Sequence, residues 1–138
     1  MDPEGLVHHL SRLLADGRHE EMLPFIAEDV EVHSPMMSAV YCGHEGFLQL
    51  HRDVAGRFDD GLPEPTVLQV EHEAETVLVL GQVRFHESGA DGTRFTRVVP
   101  HAWVLVLREG QVAGWRAYGS WTEAREAAAL PEGPRDPG

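Results

Sequence analysis

The chain has 138 residues, 42% of them hydrophobic, and a formal net charge of -12 from 11 Lys and Arg against 23 Asp and Glu. The length and composition predict a folded domain with a full core, and the acidic balance argues against nucleic acid or an anionic membrane as a partner. Cys42 is the single cysteine and cannot form an internal disulfide, and no apolar run approaches the roughly 20 residues that span a bilayer. Since no signal segment opens the chain, we expect a cytoplasmic protein.

The first 58 residues carry the pattern of three helices and one strand. Asp2 caps a first helix whose leucines recur at helical spacing, and a shorter second helix runs through 22–26. A strand then starts at Val30 and ends at Pro35, which removes a backbone donor. Apolar residues next recur every three to four positions, which predicts a third helix over 44–58.

The second half of the chain predicts strands. Four segments rich in Val, Leu, Phe and Trp are separated by turn residues, at 66–73, 76–87, 93–108 and 111–120. Consecutive strands with short connections predict an antiparallel meander. Thr122 then caps a short Ala-rich helix that Pro131 terminates. We expect a single domain over 1–130 and a flexible tail over 131–138.

These elements predict the α+β class, with a cone-shaped curved antiparallel sheet wrapped around a long helix. Long strands that bend over helices leave a pocket between sheet and helices, with an open mouth. The pocket is lined by one face of each strand, so alternate strand residues are the candidates for ligand contacts.

The order of the elements and three short segments resemble a known superfamily. The segments are AEDVEVHSP over 27–35, Gly43, and WRAY over 115–118. From about 6 to 128 the chain resembles the nuclear transport factor 2-like (NTF2-like) superfamily, and within it most the SnoaL-like polyketide cyclases, ketosteroid isomerases and limonene epoxide hydrolases. The resemblance implies a cystatin-like α+β roll, a small hydrophobic substrate and a homodimer formed through the outer face of the sheet.

The catalytic residues of those enzymes are replaced at the corresponding positions of this chain. Where the isomerases carry a general-base Asp, an oxyanion-hole Tyr and a protonated Asp, the resemblance places Ser34, Leu10 and Ala102. Where the epoxide hydrolases carry an Asp, an Arg and a second Asp, it places Ala117, Gly81 and Val83. A further Tyr of the isomerase network falls on His51. The mechanisms of both families are therefore excluded in their familiar form.

His51 is the first candidate for chemistry because it interrupts the apolar stripe of the third helix on its buried side. An imidazole titrates near neutral pH and can act as a general acid or base. The alternative is a buried histidine satisfied by a backbone carbonyl or a water. Ser34 can hydrogen-bond a substrate oxygen, although a serine before a proline also commonly satisfies local backbone groups.

The remaining candidates are the expected pocket walls. We expect substrate contacts from Phe85, Val83, Ala102, Trp115 and Ala117 on the strands, and from Met36 and Tyr41 on a loop at the mouth, where lid packing is the alternative role. An aromatic wall suits a flat apolar ligand. The opposite face of the sheet is expected to carry His101, Trp103, Leu105 and Tyr118 and to bury them in a homodimer. No histidine spacing indicates a metal site, so we expect neither metal nor cofactor.

Three functions follow from this reasoning. The first is a SnoaL-like enzyme of isomerase, cyclase or dehydratase type that acts on a hydrophobic carbonyl or polyketide-like substrate. In it, His51 moves the proton while Ser34 and Tyr41 orient an oxygen. The second is a non-catalytic module of the same fold that binds an apolar ligand or a partner peptide. The third is a structural dimer whose cone is filled by its own side chains.

Overall fold

A computed structural model describes residues 1–58 and 61–130 of the chain. The helices are α1 (Pro3–Ala15), a 3₁₀ helix (His19–Phe25), α2 (Gly43–Arg57) and α3 (Trp121–Ala128). The strands are β1 (Ile26–Ser34), β2 (Ala39–Cys42), β3 (Glu64–Glu73), β4 (Thr76–Ser88), β5 (Arg94–Arg108) and β6 (Gln111–Tyr118). The predicted tail over 131–138 lies outside the described residues.

The six strands form one curved, unclosed sheet in the order β2-β1-β6-β5-β4-β3. Neighbouring strands are antiparallel, with one exception: β1 and β6 run parallel. The α+β class and the meander of the last four strands are confirmed. None of the helices within 1–58 and 61–130 is long and apolar enough to cross a membrane.

Three local predictions differ from the structure. The segment predicted as a loop at the pocket mouth contains the four-residue strand β2, which pairs with the end of β1. The predicted second helix is a 3₁₀ helix, and Pro24 within it lacks the amide that an α-helical turn would use. Ser120 rather than Thr122 caps α3, since the Ser120 hydroxyl accepts a hydrogen bond from the amide of Glu123 at 3.2 Å.

The main core lies between the inner face of the sheet and the first two α-helices. Asp2 caps α1, accepting the amide of Gly5 at 2.7 Å, and the helix buries a stripe of leucines against β3. Helix α2 packs against β1 and buries Phe47 and Leu50. Both helices cover one end of the inner face and leave the other end open, which is where the cavity forms.

Helix α3 packs on the outer face of the sheet and forms a second, smaller core. Its buried residues meet Ala102 and Val104 of β5. The indole Nε1 of Trp121 donates to the carbonyl of Gly81 at 2.9 Å and to that of His101 at 3.1 Å. Part of the face expected to lie in a dimer interface is therefore covered by the chain itself.

The two faces of β5 are the reverse of those predicted. Residues that pair across neighbouring strands lie on the same face of the sheet. Trp103 pairs with Val79 of β4 and with Ala117 of β6, so it lies on the inner face. His101 and Leu105, two residues away on either side, lie on that face too. Ala102, predicted as a pocket wall, lies on the outer face under α3. The cause is the pairing with β4, which places Trp103 opposite Val79 without any bulge, while a bulge at Ala113 keeps Trp115 and Ala117 of β6 on the same face; a one-residue change of register exchanges the two faces of a strand.

Candidate functional site

A cavity of about 650 Å³ lies between the inner face of the sheet and the ends of α1 and α2. The cone is therefore not filled by its own side chains. Trp103 and Trp115 form the deep wall and Leu62 and Pro63 lie at the opposite side, while His51 projects from α2. The size and the mainly apolar lining are those of a site for a small organic molecule.

His51 lines this cavity as the sequence predicted. Its ring is stacked on that of His19, with centroids 3.9 Å apart and an interplanar angle of 5°, and it meets the ring of Phe47 edge to face at 4.7 Å. The His51 Nε2 atom is buried and has no hydrogen-bond partner. The alternative of a structural histidine whose Nε2 is satisfied by a backbone carbonyl is therefore not supported among the described residues.

Burial determines the charge of the cavity histidines. It lowers the pKa of His51 to about 3, and the neighbouring His19 contributes a smaller electrostatic part of that decrease. Burial also lowers the pKa of His19, and lowers the pKa of His101 to about 4. All three imidazoles are consequently neutral at neutral pH, so each offers one N–H donor and one acceptor nitrogen.

Ser34 also lies at the cavity, where β1 ends and the turn to β2 begins. Its hydroxyl oxygen accepts a hydrogen bond from the amide of Met37 at 3.3 Å, so it supports the turn. The hydroxyl hydrogen of Ser34 remains able to donate to a ligand. Met36 lies in the same turn and lines the cavity, as expected for a residue at its mouth.

Tyr41 does not line the cavity, contrary to the prediction. It lies on β2 opposite Val32, and its hydroxyl donates to the Asp53 carboxylate of α2 at 2.7 Å. This hydrogen bond raises the pKa of Tyr41 and lowers that of Asp53. Tyr41 thus fastens β2 to α2, and a role in orienting a substrate oxygen is not supported.

The predicted walls on β4 and β6 are in place, and β5 adds two residues that the sequence reasoning missed. Val83, Phe85, Trp115 and Ala117 line the cavity. His101 and Trp103 line it too, with the Trp103 ring edge-on to that of Trp115 at 5.1 Å. The sequence carries no signal for these two residues, because β5 is apolar on both faces and its register against β4 is not visible in the apolar pattern.

The fold of this chain is similar to that of several solved structures. The chain is similar to TerC co-crystallised with polyporic acid, with a TM-score of 0.71 and 16% identity over 91% of this chain and 97% of that one. An NTF2-like protein of unknown function from Burkholderia pseudomallei gives a TM-score of 0.70 and 16% identity over 92% and 97% of the two chains. The chain has the NTF2-like fold.

A third NTF2-like comparison is a provisionally assigned SnoaL-like polyketide cyclase from Shewanella putrefaciens. Its TM-score is 0.68 at 12% identity, over 94% of this chain and 86% of that one. No family model and no curated protein matches the sequence. At these identities the likeness establishes the fold, and the reaction has to be argued from the residues of this cone.

The cavity of this NTF2-like cone contains few charges. Among the described residues, Glu64 is the one carboxylate that lines it, and the His86 ring holds that carboxylate and lowers its pKa. No Lys or Arg of the described ranges lines the cavity. Within residues 1–58 and 61–130, no three His, Cys, Asp or Glu side chains are arranged to hold a metal ion. Apart from Glu64, the side chains that offer hydrogen bonds to a ligand in this cavity are imidazoles and hydroxyls.

Proposed function

We propose that this protein is a cofactor-independent enzyme that moves a proton on a hydrophobic carbonyl compound, with His51 as the base. The observation that carries the proposal is the buried His51 Nε2, which has no hydrogen-bond partner in the wall of an apolar cavity. Leaving this buried atom without a partner costs about 1–3 kcal/mol. A bound substrate that turns the imidazole, so that Nε2 faces the cavity and forms a hydrogen bond, would remove this cost.

His51 is unprotonated at neutral pH, as a base has to be. With a pKa of about 3 the ring is a weak base in the empty cavity, and its unprotonated nitrogen has a free lone pair. In the reaction, a bond between hydrogen and an atom activated by a carbonyl group breaks, the proton passes to the imidazole, and the substrate keeps the electron pair as an enolate. Return of the proton at another position completes an isomerisation, and loss of a leaving group from the enolate completes a dehydration.

The rest of the cavity supports this chemistry. In this proposal Ser34, whose side chain lies at the cavity, donates a hydrogen bond to the substrate oxygen, on which negative charge develops. Trp103 and Trp115 offer flat surfaces to an aromatic or conjugated substrate and exclude water. The resemblance in fold to a provisionally assigned polyketide cyclase and to TerC, which was co-crystallised with polyporic acid, agrees with a substrate of this kind.

A second candidate is a module that binds an apolar molecule without transforming it. The observation in its favour is that no hydrogen bond to a carboxylate among the described residues orients His51, whereas a catalytic histidine is commonly oriented by such a group. This candidate requires only the cavity and its apolar walls. The two functions differ in whether His51 exchanges a proton with the bound molecule.

Hydrogen exchange on a bound diketone separates the two. Benzoylacetone is incubated in deuterium oxide with the native protein, and replacement of its carbonyl-activated hydrogens by deuterium is followed by proton NMR. We expect the native protein to accelerate the exchange and His51→Gln to lose about 10²–10⁴-fold of that acceleration, which is the usual contribution of general acid–base catalysis. The matched control is His8→Gln, because His8 is exposed on α1.

The outcomes are distinct because binding is measured alongside exchange. If His51→Gln accelerates exchange as well as the native protein, His51 is not the base. If both proteins bind benzoylacetone equally and neither accelerates exchange, the proposed enzyme is ruled out and the binding module remains. Unchanged dispersion of the NMR spectrum shows that each variant is folded.

A further inference from the structure

Within residues 1–58 and 61–130, no carboxylate forms an ion pair or a hydrogen bond with the His51 ring. On its own helix, Arg52 is held by Glu45 and Gln49, and Asp53 is held by Tyr41 and Gln49. These contacts account for Arg52 and Asp53, the two charged residues next to His51 on α2.

Among the described residues, the other elements place one charged side chain, Glu64, at the cavity that His51 lines. The 3₁₀ helix presents His19, which is itself neutral because burial lowers its pKa. On β1, the His33 Nε2 contacts the Glu31 carboxylate at 2.9 Å. Across the cavity, β3 presents Glu64, which is held by His86, and β5 presents His101. A proton on His51 would therefore create a buried cation without an ion-pair partner from the described part of the chain.

We propose that the molecule bound in this cavity is a weak acid, a hydroxyl group conjugated with a carbonyl or an aromatic ring, which transfers its proton to His51 and is held as the anion of an ion pair. The proposal rests on the proposed function only in using the same cavity and the same imidazole. It adds the substrate class, because the bound molecule has to supply the counter-charge that the protein does not.

The transfer is balanced within the cavity. The O–H bond of the ligand breaks and an N–H bond forms on the imidazole, so the ligand becomes an anion and His51 a cation. The net charge of the cavity is unchanged, and the pair forms where the attraction between the two new charges exceeds the cost of placing them between apolar walls. A simple ketone or ether offers no such proton and leaves His51 neutral.

The charge of the protein favours a weak acid over a permanent anion. The chain has a net charge of -12, and no Lys or Arg in the described residues lines the cavity to attract a carboxylate or phosphate. A weak acid approaches as a neutral molecule and becomes charged only beside His51. Its ring system fits between the aromatic walls formed by Phe85, Trp103 and Trp115.

The stacked pair of histidines accepts only one proton. The rings of His19 and His51 lie face to face at 3.9 Å, so a charge on one opposes a charge on the other. An imidazole forms hydrogen bonds in the plane of its ring, so two stacked rings cannot form one between their nitrogen atoms. We therefore expect the proton to stay on His51 rather than pass to His19. We expect one proton to be taken up by the pair for each ligand bound.

The test compares 4-nitrophenol with its methyl ether, 4-nitroanisole, at a pH below that at which the free phenol ionises. The nitrophenolate anion has a visible absorption band that the neutral phenol lacks. With the native protein we expect this band to grow as phenol binds, and the nitrogen NMR signals of His51 to move to imidazolium positions. We expect the phenol to bind at least about 10-fold more tightly than the ether, equivalent to about 1.4 kcal/mol.

Substitution assigns the effect to His51. In His51→Gln we expect the phenol to bind as a neutral molecule, without the visible band and no more tightly than the ether. The control His8→Gln should behave as the native protein, because His8 is exposed. The comparison of phenol and ether in the native protein needs no variant, so it stands even if His51→Gln is unstable.

Several outcomes overturn the proposal. They are a phenol bound in its neutral form beside a neutral His51, an ether that binds as tightly as the phenol, and the failure of both compounds to bind. None of these readouts involves turnover. If the protein exchanges the hydrogens of benzoylacetone but binds nitrophenol as the neutral molecule, the proposed reaction is supported and the proposal of an acidic ligand is contradicted.

Discussion

His51 and His101 are neutral in the folded protein because burial lowers their pKa values to about 3 and about 4. In the unfolded chain both histidines titrate near pH 6.5. Between about pH 6.5 and these lower values the unfolded state binds more protons than the folded state, so the free energy of unfolding decreases as the pH falls. Above about pH 6.5 neither histidine makes the stability depend on pH.

Replacing His51 by Gln removes one of these two contributions. Between about pH 6 and pH 4 we expect the free energy of unfolding of His51→Gln to depend less steeply on pH than that of the native protein, by about 1.4 kcal/mol per pH unit. Urea denaturation at a series of pH values measures both slopes. His8→Gln is the control, because His8 is exposed on α1. Equal slopes for His51→Gln and the native protein would contradict the low pKa of His51.

At the scale of the elements, the sequence predicted the helices that face the cavity but not the whole of its wall. The apolar stripe of α2, interrupted by His51, identified both the helix and a side chain that lines the cavity, because a helical period is read from one segment alone. The wall on β5 depends on pairing with β4 and β6. The sequence is apolar on both faces of β5, so only the register, which sets Trp103 opposite Val79 and Ala117, distinguishes Ala102 from Trp103.

The close approach of β3 to β4 at Gly81 gives a test of the strand pairing. Strand β3 passes so near β4 that a Cβ atom added at Gly81 would lie 2.2 Å from the carbonyl oxygen of Thr66. This backbone oxygen can move only with its strand, so we expect Gly81→Ala to lower the free energy of unfolding by about 1–3 kcal/mol. The control is Gly114→Ala, whose Cβ would meet Val106 at an ordinary 3.5 Å.

Urea denaturation of the two variants at neutral pH makes this comparison. Both substitutions place alanine in a strand, so any difference between them reports the contact with Thr66 rather than the propensity of alanine. Equal stability of Gly81→Ala and Gly114→Ala would mean that β3 and β4 approach each other less closely than the structure shows.

At the scale of the whole molecule, the two faces of the sheet serve different ends. The inner face, under α1 and α2, holds the cavity, while α3 covers the centre of the outer face. The indole of Trp121 bonds the backbone of β4 and β5 at Gly81 and His101, and His101 also lines the cavity. Helix α3 therefore supports the deep wall of the candidate site from behind.

The homodimer expected from the sequence remains a prediction, and different residues now support it. Trp103 lies inside the cone and Tyr118 packs against the cluster under α3, so neither needs a partner subunit to cover it. Val98 and Val106 lie on the outer face of β5 on either side of this cluster, and they are 49% and 45% exposed. Covering these two valines is what a second copy would contribute.

Sedimentation velocity measures the oligomeric state directly. We expect the native protein to sediment with twice the mass of one chain and Val98→Glu to sediment as a monomer, because a carboxylate would have to be buried in the interface. Val40→Glu is the control, since Val40 is 51% exposed but lies on the edge strand β2. If Val40→Glu rather than Val98→Glu gives a monomer, the copies pair through the sheet edge. A native monomer would show that α3 alone covers as much of the outer face as the fold requires.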